Sequence, residues 1–141
     1  MSQSYSNHPL LAVTGVGLVG VAAGLAAAAA GRCDRVVVAG SSMAPGLLPG
    51  DRLLVWRNGR VRPGDLVVVR DPRGTSRTVV KRVAAVGDAG VDVRGDNPAA
   101  STDSRTWGTV AWGLVVGRPV YRYHPPPRVG WLDTWRRSPR P

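Results

Sequence analysis

Phenylalanine is absent from the 141 residues, cysteine occurs once, and of nineteen basic residues a single one is lysine. Each shortage excludes something. Without phenylalanine, and with an apolar complement that is mostly valine, alanine and leucine, the core has to be built from small side chains, many of them branched. The lone Cys33 rules out an intramolecular disulfide, and no metal-ligand spacing surrounds it. Acidic groups are also short, leaving a net charge of +10. That balance favours anionic partners such as lipid headgroups or nucleic acid, and it says little about fold. The lysine shortage is the most informative, because an arginine keeps its proton in a protein whereas a lysine can lose it. Of the two residue types only lysine can act as a general base, and Lys81 is the one available.

Charge is missing altogether between Pro9 and Gly31, where Thr14 is the single hydroxyl. About 20 helical residues span roughly 30 Å, the thickness of a bilayer core. Residues 9–31 are therefore expected to form one transmembrane helix after a polar N-terminus at residues 1–8. Its leucines and valines are diluted by glycine and alanine, and Gly20-x-x-x-Gly24 would let two helices approach closely. A cleaved signal peptide is the competing reading; the missing basic n-region and the length of the apolar run oppose it. Arg32 and Arg35 follow the segment, which by the positive-inside rule would keep the rest of the chain in the cytoplasm.

Residues 36–123 carry the pattern of short β-strands. Arg52–Trp56, Asp65–Arg70, Arg77–Val86, Val91–Arg94 and Leu114–Tyr123 are valine-rich runs. Turn signals separate them at Asn58-Gly59, Pro63-Gly64, Pro72-Arg73-Gly74 and Asp88-Ala89-Gly90. The expected fold is mainly β: a small folded antiparallel sheet or barrel-like domain over residues 32–123, with no helix between strands. Residues 124–141 are rich in proline, arginine and tryptophan. The prolines point to a stiff extended exit, and Trp131, Trp135 and the arginines fit an interfacial segment touching anionic lipid. A disordered tail is the plain alternative.

Two places in the β region carry chemistry. From Val36 to Val55, two apolar stretches flank a small polar turn that presents Ser41 and Ser42, with Gly40 and Pro45 restricting the backbone on either side. A serine in such a bend serves as a nucleophile when a base lies nearby, although most are turn formers only. Around Lys81, strand alternation puts Val79, Lys81 and Val83 on one face and Val80 and Arg82 on the other. The amine is thus expected against apolar neighbours, with Arg82 toward water. Desolvation lowers a lysine pKa, and reaching about 7 from about 10.4 costs roughly 4–5 kcal/mol. A surface lysine on an edge strand is the plain reading of Lys81, and Ser42 tips the balance away from it. From Gly95 to Gly108 the composition gives a loop, whose carboxylates and Arg105 would by themselves pass for a solvated turn.

Ser42-Met43-x-Pro45, Gly50-Asp51, Val80-Lys81-Arg82 and the block Gly95-Asp96-Asn97-Pro98 with Ser101, Asp103, Ser104, Arg105 and Gly108 resemble, in that order, the motifs of the signal peptidase I family of Ser–Lys endopeptidases. The likeness covers residues 36–123. The short linkage resembles the small actinobacterial members, including the nickel-type superoxide dismutase maturation proteases. The resemblance implies Ser42 as nucleophile and Lys81 as base, with no metal or cofactor. It also implies that Ser101 holds the lysine amine and that Asp103 and Arg105 buttress the site, with Gly95 and Asp96 in structural support. Substrates would be preproteins, or one dedicated propeptide, cut after small residues. The setting would be a single-pass protein of the cell membrane with an extracytoplasmic catalytic domain, against the positive-inside reading. Two departures stand out. Where some members carry a hydroxyl two residues before the nucleophile, this chain has Gly40, leaving the Ser42 N–H as oxyanion donor and Ser41 as a second candidate. One such donor is worth roughly 3–4 kcal/mol of transition-state stabilisation. The large cap that members often insert after the lysine strand is here reduced to a hairpin within Arg82–Arg94.

Two other classes compete. LexA-like self-cleaving regulators share a Gly-x-Ser-Met turn and a lysine-bearing strand, but the Gly95–Gly108 block and the anchor oppose that reading, and no DNA-binding helix pair precedes the domain. A non-enzymatic basic β module binding membrane or nucleic acid would account for the charge. It leaves the single lysine unexplained, and aromatics are not interleaved with arginines along most of the strands, so nucleic acid is not an expected partner.

Overall fold

The computed structural model describes residues 28–132, preceded by Ala22, Leu25 and Ala26. The anchor expected at residues 9–31 falls mostly outside the described residues; among them, no helix is long and apolar enough to cross a membrane. The β domain starts at β1 (Cys33–Val37) and continues through β2 (Arg52–Trp56), β3 (Leu66–Arg70), β4 (Thr78–Val86) and β5 (Gly90–Arg94). A one-turn helix α1 (Ser104–Trp107) follows, then β6 (Val110–Ala111), β7 (Val115–His124) and β8 (Gly130–Trp131). All pairings are antiparallel, in the spatial order β1-β2-β7-β3-β4-β5-β6 with β8 on β7. The domain is mainly β, as the runs predict, and takes the form of a curled half-barrel.

Strand β7 makes the curl. It pairs with β2 from Arg118 to His124, while it pairs with β3 at Val115 and Gly117 and with β8 at Tyr121 and Arg122. Register shifts break the β2 and β3 ladders where the sheet bends, as bulges do. Gly117 lies at the crossing: a Cβ there would collide with the Trp56 carbonyl oxygen, so only glycine lets β7 pass the end of β2 this closely.

Because the sheet folds over itself, β3 is buried on both faces. Leu66 and Val68 join Val36, Val38, Met43, Leu47, Leu53, Val55 and Val80 in one core. Val67 and Val69 join Val83, Val91, Val93 and Val110 in a second. The unbroken Leu-Val-Val-Val run answers to this double burial, and each fully buried valine contributes roughly 1.5–3 kcal/mol.

Two expectations are corrected. A helix does interrupt the strands: the Asp103 carboxylate accepts the Arg105 N–H and caps the single turn of α1. From His124 to Leu132 the chain is not an extended exit either, and the rest of the expected tail, with Trp135, lies outside the described residues. His124 completes β7, Pro126–Arg128 form a 3-10 turn, and β8 folds back onto β7.

Candidate active site

The serine turn is closed at both ends. Val38 N–H donates to the Asp51 carbonyl at 2.9 Å and Gly50 N–H to the Val38 carbonyl at 2.8 Å. Buried Met43 and Leu47 anchor the loop between them, leaving Ser41 exposed and Ser42 half-buried. The segment after β5 grips this turn from the other side. Asn97 N–H donates to the Ser42 carbonyl at 2.8 Å, Asn97 Nδ2 to the Ser41 carbonyl at 3.2 Å, and Asp96 N–H to Met43 Sδ at 3.4 Å. Among the described residues no acceptor takes the Ser42 N–H. Gly95 is obligatory here: a Cβ on it would collide with Ser101 Oγ and sit 2.7 Å from the Ser42 carbonyl oxygen.

Lys81 pairs with Val67 across the β3–β4 ladder, which puts it on the face of the second core with Val79 and Val83, while Val80 points into the first. The side chain carries its amine into a nearly dry place, with the residue 3% exposed. Lys81 Nζ donates to Ser101 Oγ at 3.0 Å and lies 5.8 Å from the centre of the Trp107 ring. Ser101 Oγ in turn donates to Asp103 Oδ2 at 2.7 Å. Asp103, 1% exposed, also accepts from Gly95 N–H at 3.0 Å, Arg105 Nε at 2.9 Å and Arg105 Nη2 at 2.7 Å. These donors, the Arg105 guanidinium first, outweigh burial and hold the Asp103 carboxyl well below the usual carboxylate range. Asp103 is therefore an acceptor only, so the single proton of Ser101 is spent on it and Lys81 must be the donor in the remaining bond. That arrangement fixes one N–H of the amine whatever its charge. Burial pushes the Lys81 pKa down; the Asp103 charge opposes this, Arg105 and Arg73 reinforce it, and Asp71 opposes it more weakly.

Arg82 departs from its expected place in water. Its side chain is 18% exposed, because Asp96 reaches over β4 and takes both Nε and Nη2 at 2.8 Å, while Nη1 donates to the Gly64 carbonyl. Asp96 thus ties the Val80–Arg82 face of β4 to the clamp on the serine turn.

Ser42 and Lys81 line one open groove of about 820 Å³, bordered by Val37–Gly40 on one side and Ser76–Val80 on the other. Lys81 Nζ bonds Ser101 Oγ rather than Ser42 Oγ. Ser41, although in the same turn, is not among the groove residues. Each border includes an open strand edge, Val37 of β1 and Thr78–Val80 of β4. β1 pairs with β2 alone, and Thr78–Lys81 pair with β3 but not with β5, whose ladder on β4 begins at Arg82. Among the groove residues that sequence reasoning did not assign to the site are Trp107, Asp71 and Arg73. Asp103 as a cap followed by Ser-Arg-Thr-Trp is a helix-start signal that would have placed Trp107 beside the block.

A sequence profile described as signal peptidase, peptidase S26, matches residues 11–94. Among similar proteins, the mitochondrial ATP-independent inner membrane protease subunit 1a of Arabidopsis thaliana is 38% identical over 70% of this chain and 78% of its own length. Subunit 1b of the same plant is 33% identical over 61% of this chain and 67% of its own. Subunit 2 of the mouse (Mus musculus) mitochondrial inner membrane protease is 33% identical over 67% and 71%. The order of motifs, the curled β domain and these matches agree: the chain belongs to the signal peptidase family, peptidase S26, and is a serine-type peptidase.

Proposed function

We propose that the groove is the active site of a Ser–Lys endopeptidase that removes signal peptides or a propeptide. The observation that supports it most is a nearly buried lysine, its amine held by Ser101 and its pKa pushed down by burial, in one groove with Ser42. The neutral Lys81 amine takes the Ser42 Oγ proton as Oγ attacks the scissile carbonyl. The unclaimed Ser42 N–H receives the developing oxyanion, with Ser41 as second candidate. The Lys81 ammonium then returns the proton to the leaving amine; water, deprotonated by the same amine, attacks the acyl carbonyl, and the C–Oγ bond breaks as the proton passes from Lys81 to Ser42 Oγ, freeing the carboxylic product. Catalytic hydrogen bonds are often loose without substrate, so the present Lys81–Ser101 bond is compatible with an amine that turns to Ser42 on binding.

The substrate is an extended peptide. Two open strand edges face the groove, and a strand laid between them would gain backbone hydrogen bonds from both. Small residues before the cut follow from the family resemblance. The relatives are named as inner membrane proteases, and with the uncharged run at residues 9–31 this supports a membrane protein anchored by one span; a domain working outside the cytoplasm follows from the family resemblance alone, against the positive-inside reading of Arg32 and Arg35.

The test uses the full chain in detergent micelles and a quenched peptide with alanine before the cut. Wild type cleaves it, folded Ser42→Ala does not, and Ser41→Ala keeps most of the activity. Cleavage by Ser42→Ala at the wild-type rate overturns the assignment.

A further inference from the structure

Two cations stand over one indole. Arg73 Cζ lies 5.5 Å and Lys81 Nζ 5.8 Å from the Trp107 ring centre. Arg73 belongs to the turn between β3 and β4, and the almost fully buried Asp71 carboxylate sets its direction. Asp71 accepts from Arg73 N–H at 3.0 Å, from Nε at 2.9 Å and from Nη2 at 2.6 Å. The turn itself is closed by backbone bonds, Asp71 N–H to the Arg77 carbonyl at 2.9 Å and Gly74 N–H to the Asp71 carbonyl at 3.3 Å. A forked side-chain clamp is therefore more than this turn needs. Asp71, Arg73 and Trp107 all line the groove that holds Ser42 and Lys81, and the proton transfers described above use none of them.

We propose that Asp71 and Arg73 are positioning residues for the peptidase reaction. The carboxylate orients the guanidinium, the guanidinium seats the Trp107 indole beside the Lys81 amine, and a permanent positive charge is kept close to the base. This role rests on Lys81 being the base. A planar guanidinium stacks on an aromatic face and restrains it, as a lysine in its place does less well. Two cations attracted to one ring also repel each other, and arginine cannot relieve that by losing a proton. Lys81 can. The charged groups facing the amine are Asp103 and Arg105 from the segment around α1 and Asp71 and Arg73 from the β3–β4 turn. Arg105 is committed to Asp103, as Arg73 is to Asp71, so each carboxylate that would hold the proton on Lys81 is offset by its own arginine.

The sign of the effect follows. Arg73→Gln removes a cation and leaves the Asp71 anion uncompensated, and both changes favour the ammonium. The acidic limb of the pH dependence of kcat/KM, which marks deprotonation of the base, moves to higher pH by about half a pH unit or more. Arg73→Lys keeps the charge but loses the fork: its limb stays at the wild-type midpoint while the plateau falls severalfold. Asp71→Asn loses the clamp without losing the cation, so its plateau also falls and its limb does not rise. The experiment records these profiles on the full chain in micelles with the alanine-containing peptide, with melting temperatures to show that each variant is folded. A wild-type midpoint in folded Arg73→Gln overturns the proposal, as do equal shifts in Arg73→Gln and Arg73→Lys. Lys81→Arg is the control. If it is inactive while Arg73→Gln is unshifted, the positioning role alone fails; if it keeps full activity, the Ser–Lys reading fails with it.

Discussion

Asp51 and Asp103 are both almost completely buried, and each is held by a backbone N–H and by arginine, yet they have opposite consequences. Asp51 accepts from Leu48 N–H at 3.0 Å, from Arg122 Nη1 at 3.0 Å and from Arg128 Nη1 at 3.1 Å. The same two arginines donate to the Gly46 carbonyl, so the network closes on itself beneath the loop that carries Ser42. Every cation in it is permanent. Asp103 has one arginine, itself 45% exposed, and passes its remaining polarity through Ser101 to Lys81, a group that can change charge at the wall of a groove. A buried carboxylate surrounded by arginines is scaffold. One whose hydrogen bonds end on a deprotonatable amine beside open space is machinery.

Substitutions at the two aspartates should separate these roles. Asp103→Asn has the largest expected effect on catalysis, because it swaps an obligate acceptor for a group that can also donate and so frees Ser101 from its orientation. Turnover should fall on the order of a hundredfold, with a lower melting temperature. Ser101→Ala removes one hydrogen bond from the amine and nothing from the core. Turnover should fall about tenfold while the melting temperature stays close to wild type. Equal, purely thermal damage from both would mean that the Ser101–Asp103 segment is scaffold too. Asp51→Asn is expected to disturb catalysis least and stability most. It leaves Arg122 and Arg128 facing each other without their counter-charge, at a cost of roughly 3–5 kcal/mol. Activity per folded molecule should stay within about twofold and the pH limb should not move. A shifted limb with an unchanged melting temperature would erase the contrast between the two networks.

The faces of β4 were legible because alternation is local: Val79, Lys81 and Val83 fall on one side by geometry alone, and the structure keeps them there. The strand Arg52–Trp56 emerges with the expected bounds, since Pro49-Gly50 and Asn58-Gly59 punctuate it. What failed was non-local. Alternation gives Arg82 a face but cannot say that Asp96, fourteen residues on, will cover it. The four residues of α1 are too few to show a helical period. The proline-rich exit turns back because β8 pairs with β7 and Arg128 reaches Asp51, a contact across 77 residues. The shared groove of Ser42 and Lys81 had no local signature either; the motif order pointed to it.

Lys81 is the only lysine in the chain, so carbon-13 placed at lysine Cε gives a single resonance that needs no assignment. Its chemical shift, followed against pH in the full-length protein in micelles, reads the protonation of the proposed base directly. Burial is the leading cause of its lowered pKa. The same depression makes the fold more stable as pH rises from the folded-state pKa toward the unfolded one, because the unfolded chain holds the proton longer. The predicted result is a midpoint below the ordinary lysine value of about 10.4, leaving neutral amine available to accept the Ser42 proton. A midpoint at or above that value would contradict a Ser–Lys mechanism at this site.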